Sequence, residues 1–176
     1  MEIRRATRGD AAAISDVHVR SWKGAYPGLI PQDYLDRLRP EDRQPAWEQT
    51  LLETDWPRQG VLLLVDEGLP PQPVHGFAHI CPTRDDDLDK RVAGEVTSIY
   101  LAPEAWGGGN GVALMKAALE VLTEAGYARA CLWALDTNAR ARRFYEIGGW
   151  HTDGLTKSHD WGEFSCTDVR YVRDLP

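Results

Sequence analysis

The sequence predicts an α/β protein built on a mixed β-sheet. In the first half of the chain, short apolar and β-branched runs at residues 61–65 and 74–81 follow one another as a meander. In the second half, strand-like runs at residues 94–101 and 129–135 alternate with segments whose apolar residues recur at helical spacing. A meander followed by alternating strands and helices is typical of a mixed α/β sheet.

The chain begins with a predicted strand at residues 2–6, and a helix follows it. Thr7 and Asp10 resemble a capping box in which aspartate replaces glutamate. Behind them, one helical stripe is formed by Ile14, Val17, His18, Ser21 and Trp22. These residues predict that the first helix packs against the sheet.

The other predicted elements are a break at 25–29, helices at 31–38 and 41–52, a proline-rich turn at 67–73, a charged loop at 82–90, and closing strands at 152–156 and 164–172. The charged loop contains Asp85, Asp86, Asp87 and Asp89. It lacks the glycine and the distant glutamate of a calcium-binding loop, so we expect an exposed loop.

Composition narrows the class of protein. The 176 residues fit one domain, residues 1–176, and carry 27 acidic against 20 basic side chains. This balance disfavours nucleic-acid binding and mildly favours a cationic acceptor such as an amine.

Three widely spaced cysteines, Cys81, Cys131 and Cys166, predict neither a disulfide framework nor a zinc site. His75 and His79 lack a third ligand, so no metal is expected. With no apolar leader or membrane-length apolar run, we expect a cytoplasmic protein that does not bind membranes.

A glycine-dense turn carries the first functional signal. A strand ends near Leu101, the turn contains Gly107, Gly108, Gly109 and Gly111, and a helix follows with apolar residues at Val112, Leu114, Met115, Leu119 and Leu122. Bare peptide N–H groups at the positive end of a helix bind phosphate. The P-loop is excluded because no Gly-Lys-Ser/Thr occurs, and the dinucleotide fingerprint fails because Val112 or Leu114 stands at its last place. A glycine-rich surface turn is the plainer alternative.

A second motif follows the strand at residues 129–135. Asn138 and Tyr145 are seven residues apart, so they lie on one helical face with Ala141 between them, and Gly148-Gly149 ends the helix.

Together the two motifs resemble those of the GCN5-related N-acetyltransferase (GNAT) family. The family's pyrophosphate loop, Gln/Arg-x-x-Gly-x-Gly/Ala, corresponds to residues 106–111, with Trp106 in the place of Gln or Arg. Its Asn-x-x-Ala-x-x-Phe-Tyr-Glu-x-x-Gly-Phe/Trp pattern matches residues 138–150 almost place for place. The resemblance implies a mostly antiparallel central sheet with splayed middle strands and flanking helices. It also implies direct transfer of an acetyl group from acetyl-CoA to a primary amine of a small molecule or peptide, without a metal.

The resemblance further implies a set of site residues. Those expected to hold acetyl-CoA are Ile99, Tyr100, Leu101, Trp106, Gly107, Gly108, Gly109, Asn110, Gly111, Val112, Ala113, Asn138, Arg142 and Tyr145. Tyr145 is expected beside the sulfur as a proton or hydrogen-bond donor, and Glu95 is the expected general base, with Asp136 and His79 as weaker candidates. Trp22 and Tyr26 are expected to line the acceptor pocket as an apolar wall or cation–π face. Dimers are common in the family, so a homodimer is one expected state, but no residue of the sequence fixes the oligomeric state.

Plainer interpretations remain open for several of these residues. Tyr145 and Trp22 could be core aromatics, Glu95 a solvated strand residue and Asn138 a helix-terminal residue. Two other functions also remain: a noncatalytic acyl-CoA sensor on the same fold, and a dinucleotide-dependent oxidoreductase.

Overall fold

The architecture is that of a computed structural model, which describes residues 1–68 and 71–176. Its strands are β1 (Glu2–Arg5), β2 (Gly60–Val65), β3 (Val74–Pro82), β4 (Ala93–Leu101), β5 (Arg129–Leu135), β6 (His151–Asp160) and β7 (Ser165–Asp174). Its helices are α1 (Ala11–Ala25), α2 (Gln32–Arg37), α3 (Pro40–Leu52), α4 (Asn110–Glu124) and α5 (Ala139–Ile147). Part of the turn predicted at residues 67–73 lies outside the described residues.

In the described part of the chain, the strands form one seven-stranded sheet in the order β1-β2-β3-β4-β5-β7-β6. Neighbouring strands are antiparallel except for β4 and β5, which are parallel. The sheet is therefore mixed and mostly antiparallel, as predicted.

Alternation along the strands divides the core between the two faces of the sheet. On one face, Val61, Leu63 and Phe77 pack with residues of α1 and α3. On the other, Leu62, Ala78 and Ile80 pack with α4. A smaller cluster joins Leu35 of α2 to Val19 of α1. The stripe predicted for the first helix is confirmed at Ile14 and Val17, which are fully buried.

The parallel pair β4–β5 is short. Its register runs from Ala93 opposite Arg129 to Glu95 opposite Cys131, and there the pairing ends. Both strands continue, β4 to Leu101 and β5 to Leu135, so a wedge opens between them. This wedge confirms the predicted splay of the middle strands.

A bulge in β4 lies where the wedge begins. Ile80 of β3 faces Val96, but His79 faces Ser98, so Thr97 is an extra residue in β4. A bulge bends its strand and re-aims the following residues. The bend therefore helps β4 to leave β5.

The closing strands extend further than the sequence predicted. β6 covers His151–Asp160 rather than residues 152–156, and β7 covers Ser165–Asp174. Almost all of β6 is exposed to solvent, so it carries no apolar alternation that would reveal its length.

Candidate active site

Two cavities open in and beside the wedge between β4 and β5. The first, which we call the glycine-loop cavity, has a volume of about 330 Å³ and lies between the glycine turn, the end of β4 and α5. The second, the inter-strand cavity, has a volume of about 260 Å³ and extends between β4 and β5 towards β6 and β7. The cavities share a wall formed by Tyr26, Ile99, Tyr100, Asn138, Ala141 and Tyr145.

The glycine turn has a conformation that few other residues adopt. Gly107, Gly108 and Gly109 have φ angles of 84°, 58° and 82°. These left-handed conformations are costly for residues with a Cβ. A Cβ added to Gly107 or Gly109 would meet no atom within 4 Å, so the turn presents bare backbone to open space. Helix α4 begins here: the Asn110 N–H donates to the Gly107 carbonyl at 3.3 Å and the Ala113 N–H to the Gly109 carbonyl at 2.9 Å. In the part of the chain that the structure describes, no side chain caps this helix end.

Trp106 supports the turn. Its indole Nε1 donates to the carbonyl of Leu101 at 2.9 Å, which joins the turn to the end of β4. Its ring lies 4.0 Å from the guanidinium carbon of Arg140, on α5. Trp106 lines the glycine-loop cavity together with Leu101, Gly111 and Val112.

Three residues predicted to bind the cofactor do not line either cavity. The Asn110 side chain donates to the carbonyl of Ala105 at 3.0 Å, so it stabilises the turn. Ala113 is exposed and lies beyond the cavity wall. Arg142 donates to the Tyr171 hydroxyl at 3.0 Å and faces away from the cavity. Successive helical residues are rotated by about 100°, and it is Arg140 that lines the cavity instead.

The face of α5 predicted from the second motif lines the shared wall. Asn138 is the N-cap residue, and its Oδ1 accepts from the Ala141 N–H at 3.1 Å. Tyr145 is buried, and burial raises the pKa of its hydroxyl above the usual value. Within residues 1–68 and 71–176, that hydroxyl makes no hydrogen bond, so it is free to meet a ligand. The raised pKa makes Tyr145 a neutral hydrogen-bond donor rather than a ready source of protons.

Glu95 occupies a different environment from the one predicted. It is 1% exposed at the closed end of the wedge and does not line either cavity. Its carboxylate accepts from the Arg84 N–H at 2.9 Å and from Arg84 Nη2 at 2.6 Å. Arg84 itself lines the inter-strand cavity. The geometry therefore makes Glu95 a partner of Arg84. The weaker base candidates, His79 and Asp136, do not line either cavity.

The aspartate-rich loop is not wholly exposed, so that prediction is wrong for Asp85. Asp85 is 6% exposed and accepts from Lys157 at 2.9 Å, Arg170 at 3.1 Å and Trp133 at 3.0 Å. Burial raises the pKa of Asp85, but the hydrogen bonds from Lys157 and Arg170 outweigh this effect, and the pKa lies below its usual value. Arg170 also binds Asp87 and Asp153 and is 3% exposed. This network fixes the loop against β6 and β7.

Several residues of the inter-strand cavity were missed by the sequence interpretation. They come from the closing strands and their connection, and they include Lys157, His159, Trp161 and Asp168. His159 Nε2 lies 3.1 Å from Asp168 Oδ2. Burial raises the pKa of Asp168. The available signal was a spacing of two residues, which places side chains on one face of an extended segment; it relates Lys157, His159 and Trp161.

The two aromatic residues predicted for the acceptor side meet at the cavities. Tyr26 lines both cavities, and Trp22 lines the inter-strand cavity. Their ring centroids are 5.0 Å apart. The guanidinium of Arg43 lies 5.4 Å from the Trp22 ring, so one face of that ring already holds a cation of this chain.

This arrangement can be compared with known proteins. A family model described as "Acetyltransferase (GNAT) family" matches residues 28–149. The chain belongs to the GNAT family.

Two relatives agree with this assignment. The uncharacterized N-acetyltransferase YuaI of Bacillus subtilis (strain 168) is 32% identical over 136 residues, covering 77% of this chain and 72% of that protein. An uncharacterized N-acetyltransferase of Archaeoglobus fulgidus is 33% identical over 146 residues, covering 82% and 89%. The predictions of GNAT membership and of an acetyltransferase are confirmed.

Solved structures share the fold. The PaiA N-acetyltransferase of Thermoplasma acidophilum, in complex with coenzyme A, has a TM-score of 0.69 at 18% identity and covers 98% of each chain. The yncA protein of Salmonella typhimurium, a putative acetyltransferase with acetyl-CoA, has a TM-score of 0.70 at 21% identity, covering 100% of this GNAT chain and 94% of its own. The predicted GNAT fold is therefore confirmed.

Among residues 1–68 and 71–176, no three His, Cys, Asp or Glu side chains are grouped so that they could hold a metal ion. No helix in the same residues combines the length and apolarity needed to cross a membrane.

The network around Arg170 predicts a large stability effect. We expect Arg170→Met to lower the free energy of unfolding by about 3–5 kcal/mol, because it leaves the buried Asp85 carboxylate without a principal cation. Arg91→Met is the matched control, since the Arg91 side chain is 87% exposed and pairs with nearby Asp89; its effect should be within about 0.5 kcal/mol. Urea denaturation measures both. Similar values for the two variants would show that the network does not stabilise the fold.

Proposed function

We propose that this GNAT protein transfers the acetyl group of acetyl-CoA directly to a primary amine of a small molecule or peptide. The observation that carries the proposal is the shared wall, where Tyr145 borders both the glycine-loop cavity and the inter-strand cavity. One cavity can then hold the donor and the other the acceptor. Direct transfer requires such an arrangement, because the reacting atoms must approach to about 3 Å.

The glycine-loop cavity fits a diphosphate-bearing donor. Gly107, Gly108 and Gly109 present bare backbone, and the N-terminus of α4 adds its positive end. Beyond the end of the β4–β5 pairing, the edge of β4 that faces the wedge has no strand partner among residues 1–68 and 71–176. The backbone of residues 99–101 can therefore pair with an extended arm of the donor. Arg140 offers a cation at the same cavity, a role that the sequence had given to Arg142.

Acetyl-CoA, when bound, supplies the activated thioester. The amine nitrogen attacks the carbonyl carbon, the C–N bond forms, and the C–S bond breaks to give a thiolate. Tyr145 donates a hydrogen bond to the sulfur as charge develops there, which stabilises the transition state more than the ground state. Asn138 and Tyr26 complete the shared wall.

A proton must also leave the amine, and His159 is positioned for this step. His159 lines the inter-strand cavity, where its Nε2 lies 3.1 Å from Asp168 Oδ2, and within residues 1–68 and 71–176 its Nδ1 has no hydrogen-bond partner. A carboxylate that holds one nitrogen of a histidine fixes its tautomer and orientation. We therefore propose His159 as the base, with Asp168 as its positioning residue. Glu95 instead orients Arg84.

Removal of the Tyr145 hydroxyl tests the proposed transfer. Tyr145→Phe should lower kcat by about 10- to 100-fold while the Kd for coenzyme A changes less than about twofold, since the lost hydrogen bond forms mainly in the transition state. The assay is thiol release over a panel of primary amines, with calorimetry for binding. Tyr171→Phe is the control, because Tyr171 is buried nearby but lines neither cavity.

Two outcomes would overturn the proposal. Coenzyme A binding without thiol release from any amine would favour the sensor function. Thermal stabilisation by NAD(P) but not by coenzyme A would favour the oxidoreductase.

Two glycine variants can separate an effect on the stability of the fold from an effect on coenzyme A binding. Gly109→Ala should cost about 1–2 kcal/mol of stability, because Gly109 has a φ of 82°, and should weaken coenzyme A binding by about tenfold or more. Gly126→Ala is matched, because Gly126 has a φ of 85° and equally open surroundings at the end of α4. It should lose similar stability but keep its affinity. Equal affinities for the two variants would show that the turn does not hold the donor.

The base assignment predicts different losses of activity for two variants. His159→Gln should lower kcat/KM by about 100-fold, because it removes the group that takes the amine proton. Glu95→Gln should lower kcat/KM far less, because Glu95 does not line either cavity. The reverse result, with the larger loss in Glu95→Gln, would return the role of base to Glu95.

A further inference from the structure

The inter-strand cavity has charges of both signs in its wall. Two cationic side chains, Arg84 and Lys157, line it together with the Asp168 carboxylate and the His159 ring. The protein as a whole carries a net charge of −7, so these cations are not a consequence of a basic composition. Their placement indicates what the acceptor carries.

Arg84 is held in one orientation although its side chain is 65% exposed. Its Nε and Nη2 atoms donate to Glu95, at 3.2 Å and 2.6 Å. Within residues 1–68 and 71–176, Nη1 donates to no acceptor. A guanidinium fixed on one edge keeps donors on its other edge in a geometry that suits a carboxylate or another oxyanion.

Lys157 is fixed in a similar way. Its ammonium lies 2.9 Å from Asp85 and 4.1 Å from the centre of the Trp133 ring, and its side chain is 46% exposed. Lys157 lies opposite Asp168 in the β6–β7 register. Its ammonium, however, reaches Trp133, which is two residues closer than Leu135 to the closed end of the wedge. Both cations are therefore displaced towards that end.

The negative group lies nearer the shared wall. Asp168 pairs with Leu135, which is four residues, or about 13 Å, along β5 from Cys131 at the closed end. Burial raises the pKa of both Tyr26 and Tyr100, and the charge of Asp168 adds to both increases. Asp168 is thus within electrostatic range of the two tyrosines.

We infer that the acceptor is a small amino-carboxylate, an amine that carries an oxyanion in the same molecule. The oxyanion binds Arg84 and Lys157 towards the closed end of the wedge, and the amine lies beside His159 and Asp168 near Tyr145. A volume of about 260 Å³ suits a small molecule, since it is below the range of drug-sized sites. The inference rests on the proposed acetyl transfer and names its substrate class.

Matched acceptors test this inference. Each set contains a carboxylate, its carboxamide and its decarboxylated amine; phenylalanine and 5-aminopentanoate provide two sets with different spacing between nitrogen and carboxylate. We expect kcat/KM for thiol release to be at least about tenfold higher for the carboxylate of one set than for both its analogues. Lys157→Met and the double variant Arg84→Gln/Glu95→Gln should reduce that preference to within about threefold. The double variant avoids leaving a buried carboxylate unpaired.

Arg91→Met is the control, because it removes an exposed cation outside both cavities, and it should keep the preference. Equal rates within each set, preference for a neutral analogue or a peptide, or a preference that survives in both test variants would overturn the inference. Calorimetry on the protein saturated with coenzyme A gives a second readout that needs no turnover. Carboxylate and carboxamide binding equally well would again overturn the inference, whereas failure of acetyl transfer to every amine would overturn the proposed function.

Discussion

The early end of the β4–β5 pairing is the constraint on which the rest of the site depends. β4 is bound by antiparallel pairing to β3 along its length, and β5 is bound in the same way to β7, so each strand follows its outer neighbour after Glu95 and Cys131. The extra residue Thr97 turns β4 away at this point. A continuous sheet would fill the space with backbone hydrogen bonds. The wedge instead leaves an edge of β4 that no strand pairs with in the described residues, and it opens into two cavities.

The sequence predicted the parts of the fold that carry a strong local signal. The glycine turn, α4 and the Asn138–Tyr145 face of α5 were predicted within a few residues, because turn chemistry and helical spacing are local. Half of the wall shared by the two cavities, Asn138, Ala141 and Tyr145, belongs to the predicted face of α5. The prediction was weaker where the result depends on a single helical position. Arg140 and Arg142 are two residues apart on α5, and the sequence alone does not show which of them faces the cavity. In the structure Arg140 lines it, whereas Arg142 binds Tyr171.

The remaining parts of the site depend on partners that are distant in sequence. Asp85 was predicted to lie in an exposed loop because the segment lacks the features of a calcium-binding loop, yet Asp85 is buried and pairs with Arg170, 85 residues later. The sequence of the loop alone does not show that this cation will lie beside it. Likewise, β6 is exposed along almost its whole length, so its cavity-lining residues have no apolar pattern around them. Burial of charge by pairing is a tertiary property, and local composition cannot predict it.

The same pairing explains how an acidic protein can present cations to a ligand. Net charge governs long-range steering, whereas recognition depends on the few groups that reach the cavity. Arg84 forms an ion pair with the buried Glu95, and Lys157 forms one with the buried Asp85. Each carboxylate fixes the position of its cation. Each pair has almost no net charge at a distance, yet it keeps its cation at the wall of the inter-strand cavity. In the proposed complex, little side-chain entropy then remains to be lost, because the cations that the acceptor would meet already have their orientation.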